Sequence, residues 1–255
     1  MKSKSMCDRH GWSGLWIGCL LLLLPLAQTQ AQEAYGKSDA PLAAEARGVQ
    51  IRTTSPDEMA YVIKQILLRH YVEEQGLQAS DKEIAGLLNR KQEVMEKDRK
   101  LMEARRKELE KTLASNLPAG EERTRLEKEL ASLKGMEQAM TEADNRAGTP
   151  ESIAAENRVA RAFVEQWKVN QALYRQYGGR VVYQQGGAEP LDAYHEFFRA
   201  AEKSGDFRIV NEDFEPAFWR YYTTDSRHKF IPESGGQKEQ AINTPWWMMD
   251  MKTGQ

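Results

Sequence analysis

The sequence predicts an all-α fold: a helical module, an inserted long antiparallel coiled-coil hairpin, and an aromatic-rich C-terminal helical segment. Three observations support this prediction. Two helix-start signals follow each other closely near residues 55 and 80, charged residues flank apolar residues spaced by seven between 80 and 146, and aromatic residues concentrate beyond residue 160. Because the apolar residues recur at intervals of three, four and seven, helices are favoured over strands.

The first 31 residues have the features of a secretory signal sequence. A basic start precedes a mostly apolar run over 11–26, and Thr29 and Ala31 are small residues that a signal peptidase accepts. The apolar run is shorter than the roughly 20 residues needed to cross a bilayer, and Pro25 interrupts its end. We therefore expect cleavage after Ala31 and a secreted or periplasmic protein without a membrane span; an uncleaved anchor is the alternative.

Cysteine content and charge narrow the possible functions. Cys7 and Cys19 both lie in the predicted signal, so the remaining chain of about 224 residues would carry no disulfide and no cysteine nucleophile or metal ligand. Without the four charged residues of the signal, 33 basic and 37 acidic residues remain, a formal net charge of −4. This charge does not attract polyanions, so we do not expect nucleic acid as a partner.

The first predicted helix and its turn occupy 55–79. Ser55 can cap the helix, Pro56 fits the first helical position, and Glu58 lies three residues after the cap. Gly76 is expected to end the helix in a left-handed conformation, which only glycine adopts freely. The segment therefore predicts a helix of about five turns followed by a tight turn.

Residues 80–146 predict a coiled-coil helical hairpin. Ser80 and Glu83 repeat the capping box, and the sequence NLPAGEE interrupts the helical pattern at 116–120 before a return helix. Two ordinary surface helices packed on a globular core are the alternative. The apolar residues that predict the helix contacts are Leu87, Val94 and Leu101, Leu88, Met95, Met102 and Leu109, and Leu126, Leu130, Leu133 and Met140.

The C-terminal segment, 149–231, is expected to be helical and to pack back on the module. Thr149 and Pro150 begin a helix, and the later helices carry large aromatic residues that typically form a dense core. Two other segments lack periodicity. We expect 32–54 to be a flexible leader and 232–255 to be an irregular tail.

No catalytic constellation is evident. Beyond the predicted signal, His70, His195 and His228 lie far apart without metal-ligand spacing. The glycine pairs at 178–179 and 186–187 are not followed by the Lys-Ser/Thr of a phosphate loop, and no GxSxG motif is present. We therefore expect a protein that is not an enzyme and that uses neither a cofactor nor a metal.

Methionine and tryptophan residues are the candidates for contact with other proteins. Methionine adapts to irregular apolar shapes, so a surface that carries it can bind varied unfolded chains; the alternative is that it fills space between helices. The tryptophans of NTPWWMMDMK either dock on the aromatic core, which we favour, or form an exposed patch. The candidate client-binding residues are Met95, Met102, Met136, Met140, Trp246 and Trp247.

An apolar helix, a glycine-aliphatic pair, a polar link and a Ser-Asp-x-Glu-Ile start follow one another between 62 and 88. In these features the stretch resembles the N-terminal domain of SurA-type periplasmic chaperones, relatives of the parvulin-class foldases. A prolyl isomerase domain usually follows in that family, whereas here the predicted coiled coil follows and nothing resembles the isomerase. The matching residues are Ile66, Leu67, Tyr71, Gly76, Leu77, Ser80, Asp81, Glu83 and Ile84.

This resemblance implies a helical chaperone module without catalytic residues, against which a C-terminal helical segment returns to pack. We therefore expect an exported chaperone-like protein that binds unfolded or assembling client proteins through apolar helical surface. The alternative function is that of a structural or scaffolding protein of the cell envelope, which forms a homo-oligomer through its coiled coil.

Overall fold

A computed structural model describes residues 34–115, 120–184 and 186–249. The predicted signal sequence lies outside the described residues. The helices are α1 (Pro56–Glu74), α2 (Asp81–Ala114), α3 (Glu121–Arg146), α4 (Pro150–Tyr177), α5 (Leu191–Ser204), α6 (Glu215–Thr223) and α7 (Gln237–Asn243). The strands are β1 (Ala34–Gly36), β2 (Leu42–Ala46), β3 (Val49–Arg52), β4 (Val182–Gln184), β5 (Gly187–Glu189) and β6 (Phe207–Ile209).

The fold is mostly helical but not all-α, which corrects the predicted fold class. A four-stranded sheet has the order β1-β3-β2-β6, in which β1 is parallel to β3 and the other neighbours are antiparallel. Strands β4 and β5 form a separate antiparallel pair. Helix α1 packs on β2 and β3, α5 packs on β6, and α4 and α7 pack on β5.

The prediction that 32–54 is a flexible leader is wrong, since this segment contains β1, β2 and β3. Arg47 and Gly48 join β2 to β3 with φ angles of 46° and 84°, as a two-residue type I′ turn requires. The Arg47 backbone N–H donates to the Asp206 carbonyl at 2.7 Å, next to β6. Alanine fills the buried positions of β2, and without β-branched residues the sequence showed no strand signal.

The first helix begins and ends as predicted. The Ser55 hydroxyl accepts the Glu58 backbone N–H at 3.2 Å, and Gly76 adopts a φ of 62° just beyond the helix. The Leu77 N–H then donates to the Val72 carbonyl at 2.9 Å, which satisfies a carbonyl at the helix end. Helix α1 packs its buried side on the sheet and on α6.

The main core contains a group of aromatic rings from the second half of the chain. Measured between ring centroids, Phe207 on β6 lies 5.2 Å from Phe218 on α6, and Phe198 on α5 lies 5.6 Å from Phe218. All three side chains are fully buried. They join the sheet, α5 and α6 into one core, against which α1 and α4 also pack.

Helices α2 and α3 run antiparallel and are connected by ion pairs. Arg99 lies 2.8 Å from Asp144, whereas Arg106, further along α2, lies 3.0 Å from Glu137, which is earlier on α3. Ser80 and Glu83 form the predicted capping box at the start of α2. The first third of α2 instead lies along α4, with Lys91 at 2.6 Å from Glu156.

The side chain of Leu101 is 56% exposed, so the predicted contact series through Leu87, Val94 and Leu101 does not hold along its length. Leu87 packs on α4, but a seven-residue spacing drifts by about 20° per heptad around a straight α-helix. Two heptads later the same series has turned toward solvent. Leu109 on α2 and Leu126 on α3 are buried.

The C-terminal tail, expected to be irregular, contains α7 and a short 3₁₀ helix, Trp246–Met248. The Trp167 indole N–H donates to the Ile242 carbonyl at 3.0 Å, and Ile242 is buried with Val181 and Ile231. A seven-residue helix is too short to be stable alone, and tertiary contacts stabilise it here. The sequence pattern therefore gave no signal for it.

Substitution of Gly187 should loosen the docked tail. Gly187 has a φ of +105°, and a Cβ there would lie 2.9 Å from Trp246 Cδ1. We expect Gly187→Ala to lower the free energy of unfolding by about 1–3 kcal/mol. In the control Gly135→Ala, on the exposed surface of α3, a Cβ meets no atom within 4 Å, and stability should rise by up to about 1 kcal/mol. Urea unfolding measures both, and equal effects would contradict the proposed contact.

Candidate functional site

The predicted client-binding methionines do not form one exposed surface. Met95, Met102 and Met140 are partly buried, whereas Met136 is 51% exposed. The antiparallel ion pairs place Met102 and Met140 at the same level of the α2–α3 pair. Their partial burial favours the space-filling role for three of the four, and leaves Met136 available to a partner.

The two predicted tryptophans dock on α4. Trp246 lies 5.6 Å from Phe163 and Trp247 lies 6.0 Å from Trp167, measured between ring centroids and with edge-to-face geometry. The Arg90 side chain on α2 donates to the Trp247 carbonyl at 3.3 Å. The tail therefore connects α2 with α4, as expected for docked rather than exposed tryptophans.

A polar and aromatic cleft that the sequence reasoning missed lies between α1, α4, α6 and the β4–β5 pair. Its volume is about 330 Å³, and it is open to solvent. Elements from both ends of the described chain form its walls. The lining residues are Tyr61, Lys64, Gln65, Leu68, Gln166, Asn170, Gln184, Gly186, Gly187, Glu189, Tyr194, Tyr221 and Tyr222.

Lys64 is the cationic group of the cleft. Its ammonium lies 4.8 Å from the ring centroid of Tyr222, 5.5 Å from that of Tyr221 and 5.6 Å from that of Phe218. Burial lowers the pKa of Lys64 below its ordinary value, although Glu189 and Asp57 oppose this shift. Within the described residues the ammonium has ring contacts but no hydrogen bond or ion pair.

Glu189 is the anionic group of the cleft and is positioned by Tyr221. The Tyr221 hydroxyl donates to Glu189 Oε2 at 3.1 Å and accepts from the Gln184 amide at 2.7 Å. His228 Nε2 lies 2.7 Å from the Tyr221 carbonyl oxygen, to which its N–H can donate. Burial raises the pKa of Glu189, while Tyr221, Lys64 and His228 lower it, and the net shift is upward.

A network of amide groups forms the floor of the cleft. Asn170 on α4 is buried, and its Oδ1 accepts the Tyr194 hydroxyl at 2.7 Å and the Gln166 amide at 2.9 Å. Its amide N–H donates to the Ala188 carbonyl of β5 at 2.8 Å. Because these buried polar groups satisfy one another, β5 and Glu189 are held at a fixed distance from α4.

Two features of the sequence mark residues of this cleft, although neither is enough to predict it. Lys64 follows the buried Ile63 on α1 and lies one helical turn after the buried Ala60, so a charged residue borders the apolar face of α1. Glu189 lies between a glycine pair and Pro190. Neither signal showed that the two residues share a cleft, because that depends on how α1 packs near β5.

The chemistry of the cleft is hydrogen bonding beside aromatic surface. Lys64 supplies N–H donors, Glu189 supplies acceptor oxygens, and the glutamine side chains supply both. The described residues contain no group of three His, Cys, Asp or Glu side chains placed to hold a metal ion. Across 34–115, 120–184 and 186–249, no helix has both the length and the apolar character needed to cross a membrane.

Comparison of the chain with protein-family models, with curated proteins and with solved structures found no match.

The Glu189 carboxyl predicts a specific pH dependence of stability. Its pKa in the folded protein lies above its ordinary value of 4.5, so the unfolded chain releases the proton first as the pH rises. The wild type should therefore lose stability relative to Glu189→Gln as the pH rises from 4.5 through the higher pKa of the folded protein. Urea unfolding at pH 3.5 and pH 7 should show a larger advantage of the variant at pH 7; a constant or shrinking difference would contradict the shift.

Proposed function

We propose that the protein is an exported chaperone-like protein that binds unfolded or assembling polypeptides without catalysis. The observation that carries the proposal is the open cleft, whose lining combines hydrogen-bond donors, acceptors and aromatic rings. An extended polypeptide presents the complementary groups: unpaired backbone N–H and C=O groups and alternating side chains. An open cleft allows such a chain to enter sideways and to leave again.

The α2–α3 pair is proposed to form an antiparallel coiled-coil hairpin that projects beside the cleft. Helix α2 has 34 residues and is about 50 Å long. The exposed side chains of Leu101 and Met136 lie among charged residues on this pair. Such isolated apolar groups can contact a client weakly, while the surrounding charges oppose self-association.

The resemblance of residues 62–88 to SurA-type chaperones supports the same function. The resembling segment includes most of α1 and contains Lys64, which lines the cleft. The predicted signal sequence supports export. In this proposal the chain holds its clients in the periplasm or outside the cell and releases them unchanged.

The first test is light scattering of an unfolding protein with and without the chain from Gln32 onward. We expect suppressed aggregation of several unrelated clients at severalfold molar excess, without added nucleotide or metal, because many weak apolar and backbone contacts keep unfolded chains apart. A helical protein of similar size and charge serves as the control. If none of the clients is protected beyond that control, the chaperone function is refuted.

Envelope scaffolding is the second candidate function, and the exposure of Leu101 favours it. An apolar residue in a predicted contact series that is 56% exposed is available to a second copy of the chain. The Glu93, Glu96, Lys97 and Lys100 side chains surround it. An oligomer through this face would bury Leu101 between copies.

Substitution of Leu101 separates the two candidate functions. Leu101→Asp should leave the melting temperature of a monomer nearly unchanged because the side chain is exposed. If the protein is a scaffold that oligomerises here, the mass in solution should fall to that of the monomer. Sedimentation of wild type and variant measures this; an unchanged mass would exclude assembly through this face.

A further inference from the structure

We propose that Lys64 and Glu189 together bind the backbone of the client. In this site the Lys64 ammonium donates to a backbone C=O of an extended polypeptide and Glu189 accepts a backbone N–H of the same chain. The inference rests on the proposed polypeptide-binding function and specifies its site and the groups it recognises.

Lys64 has hydrogen-bonding capacity that the described residues leave unused. An ammonium group carries three N–H donors, and ring faces do not replace hydrogen-bond acceptors. Among the described residues no acceptor lies within hydrogen-bonding distance of Lys64 Nζ. A partly buried cation without an acceptor is unfavourable, which makes a ligand carbonyl a favourable partner.

One oxygen of the Glu189 carboxyl group is the acceptor of the proposed site. Glu189 Oε2 accepts the Tyr221 hydroxyl, whereas Oε1 has no hydrogen-bond partner in the part of the chain that the structure describes. Neither Oε1 nor Lys64 Nζ is among the fully buried atoms that lack partners there. Both atoms therefore retain some exposure, and both residues line the cleft.

Lys64 and Glu189 both line the cleft and influence each other electrostatically, but they form no ion pair within 4.0 Å. The cleft thus presents a donor and an acceptor that do not neutralise each other in an ion pair. A residue in an extended chain directs its N–H and its C=O to the same side, so it offers an acceptor for Lys64 and a donor for Glu189.

The opposite charges of Lys64 and Glu189 favour a neutral ligand over a charged one. A carboxylate ligand would be attracted by Lys64 but repelled by Glu189, and a cationic ligand would meet the reverse. A neutral peptide group meets neither repulsion. The exposed ring of Tyr61 and the side chain of Leu68 border the same cleft and can contact the side chains of the bound segment.

The test is fluorescence anisotropy with two permanently unfolded proteins of opposite charge. One is reduced and carboxymethylated α-lactalbumin, which is acidic; the other is reduced and carboxamidomethylated lysozyme, which is basic. Lys64→Met should weaken binding of both by about tenfold, since it removes a charge-assisted hydrogen bond. Glu189→Gln, which keeps an acceptor oxygen, should have a smaller effect.

The exposed Lys82 on α2 provides the matched control, because Lys82→Met makes the same change of charge outside the cleft. It should bind both proteins as the wild type does. Lys64→Met should melt at or above the wild-type temperature, since it removes a partly buried charge. If that variant is unfolded, Glu189→Leu, which removes the acceptor, takes its place and should weaken binding of both proteins.

The outcomes distinguish this site from the proposed function. If the wild type binds both unfolded proteins and Lys64→Met binds them equally well, the site is refuted but the function stands. If the loss is confined to the acidic protein, Lys64 recognises carboxylates and the backbone site is refuted. If the wild type binds neither protein, both the function and the site are refuted.

Discussion

The burial of Phe218 is the constraint on which the main core and the elements packed around it depend. Its ring contacts Phe207 on β6, Phe198 on α5 and Trp219 on α6, so one side chain joins the sheet to two helices. Full burial of such a ring stabilises the fold by about 3 kcal/mol, and edge-to-face contacts add to this. The same ring lies 5.6 Å from the Lys64 ammonium. The core that stabilises the module thus also positions one wall of the cleft.

The α2–α3 pair depends on different interactions. Its ion pairs lie at the surface, where each contributes at most about 1 kcal/mol, and Leu109 and Leu126 are buried along it. The pairs therefore specify which residues lie opposite each other more than they stabilise the helices. Firmer packing occurs where the start of α2 meets α4, in the cluster that includes Ile84, Leu87 and Val164. The distal part of the pair should consequently open more readily than the module.

The sequence predicted the parts of the fold that local interactions determine. The caps at Ser55, Ser80 and Thr149 depend on a few neighbouring residues, and the helices begin there. The β2 strand escaped prediction because its buried residues are alanines and because its partner β6 lies about 160 residues later. The cleft escaped prediction for the same reason, since residue spacing does not reveal that Lys64 and Glu189 come together.

The polar groups of the cleft would be unfavourable in a purely structural role. A core that needed only stability would place an apolar residue at Lys64, yet a cation is kept against three aromatic rings and has no acceptor among the described residues. Tyr221, Gln184 and Asn170 meanwhile form hydrogen bonds that hold Glu189 and β5 in place. Groups that reduce stability but are rigidly positioned are typical of binding sites. The residues that line the cleft come from α1 and from elements that follow α3 in the chain. Helices α2 and α3, which lie between them in the sequence, contribute no lining residue.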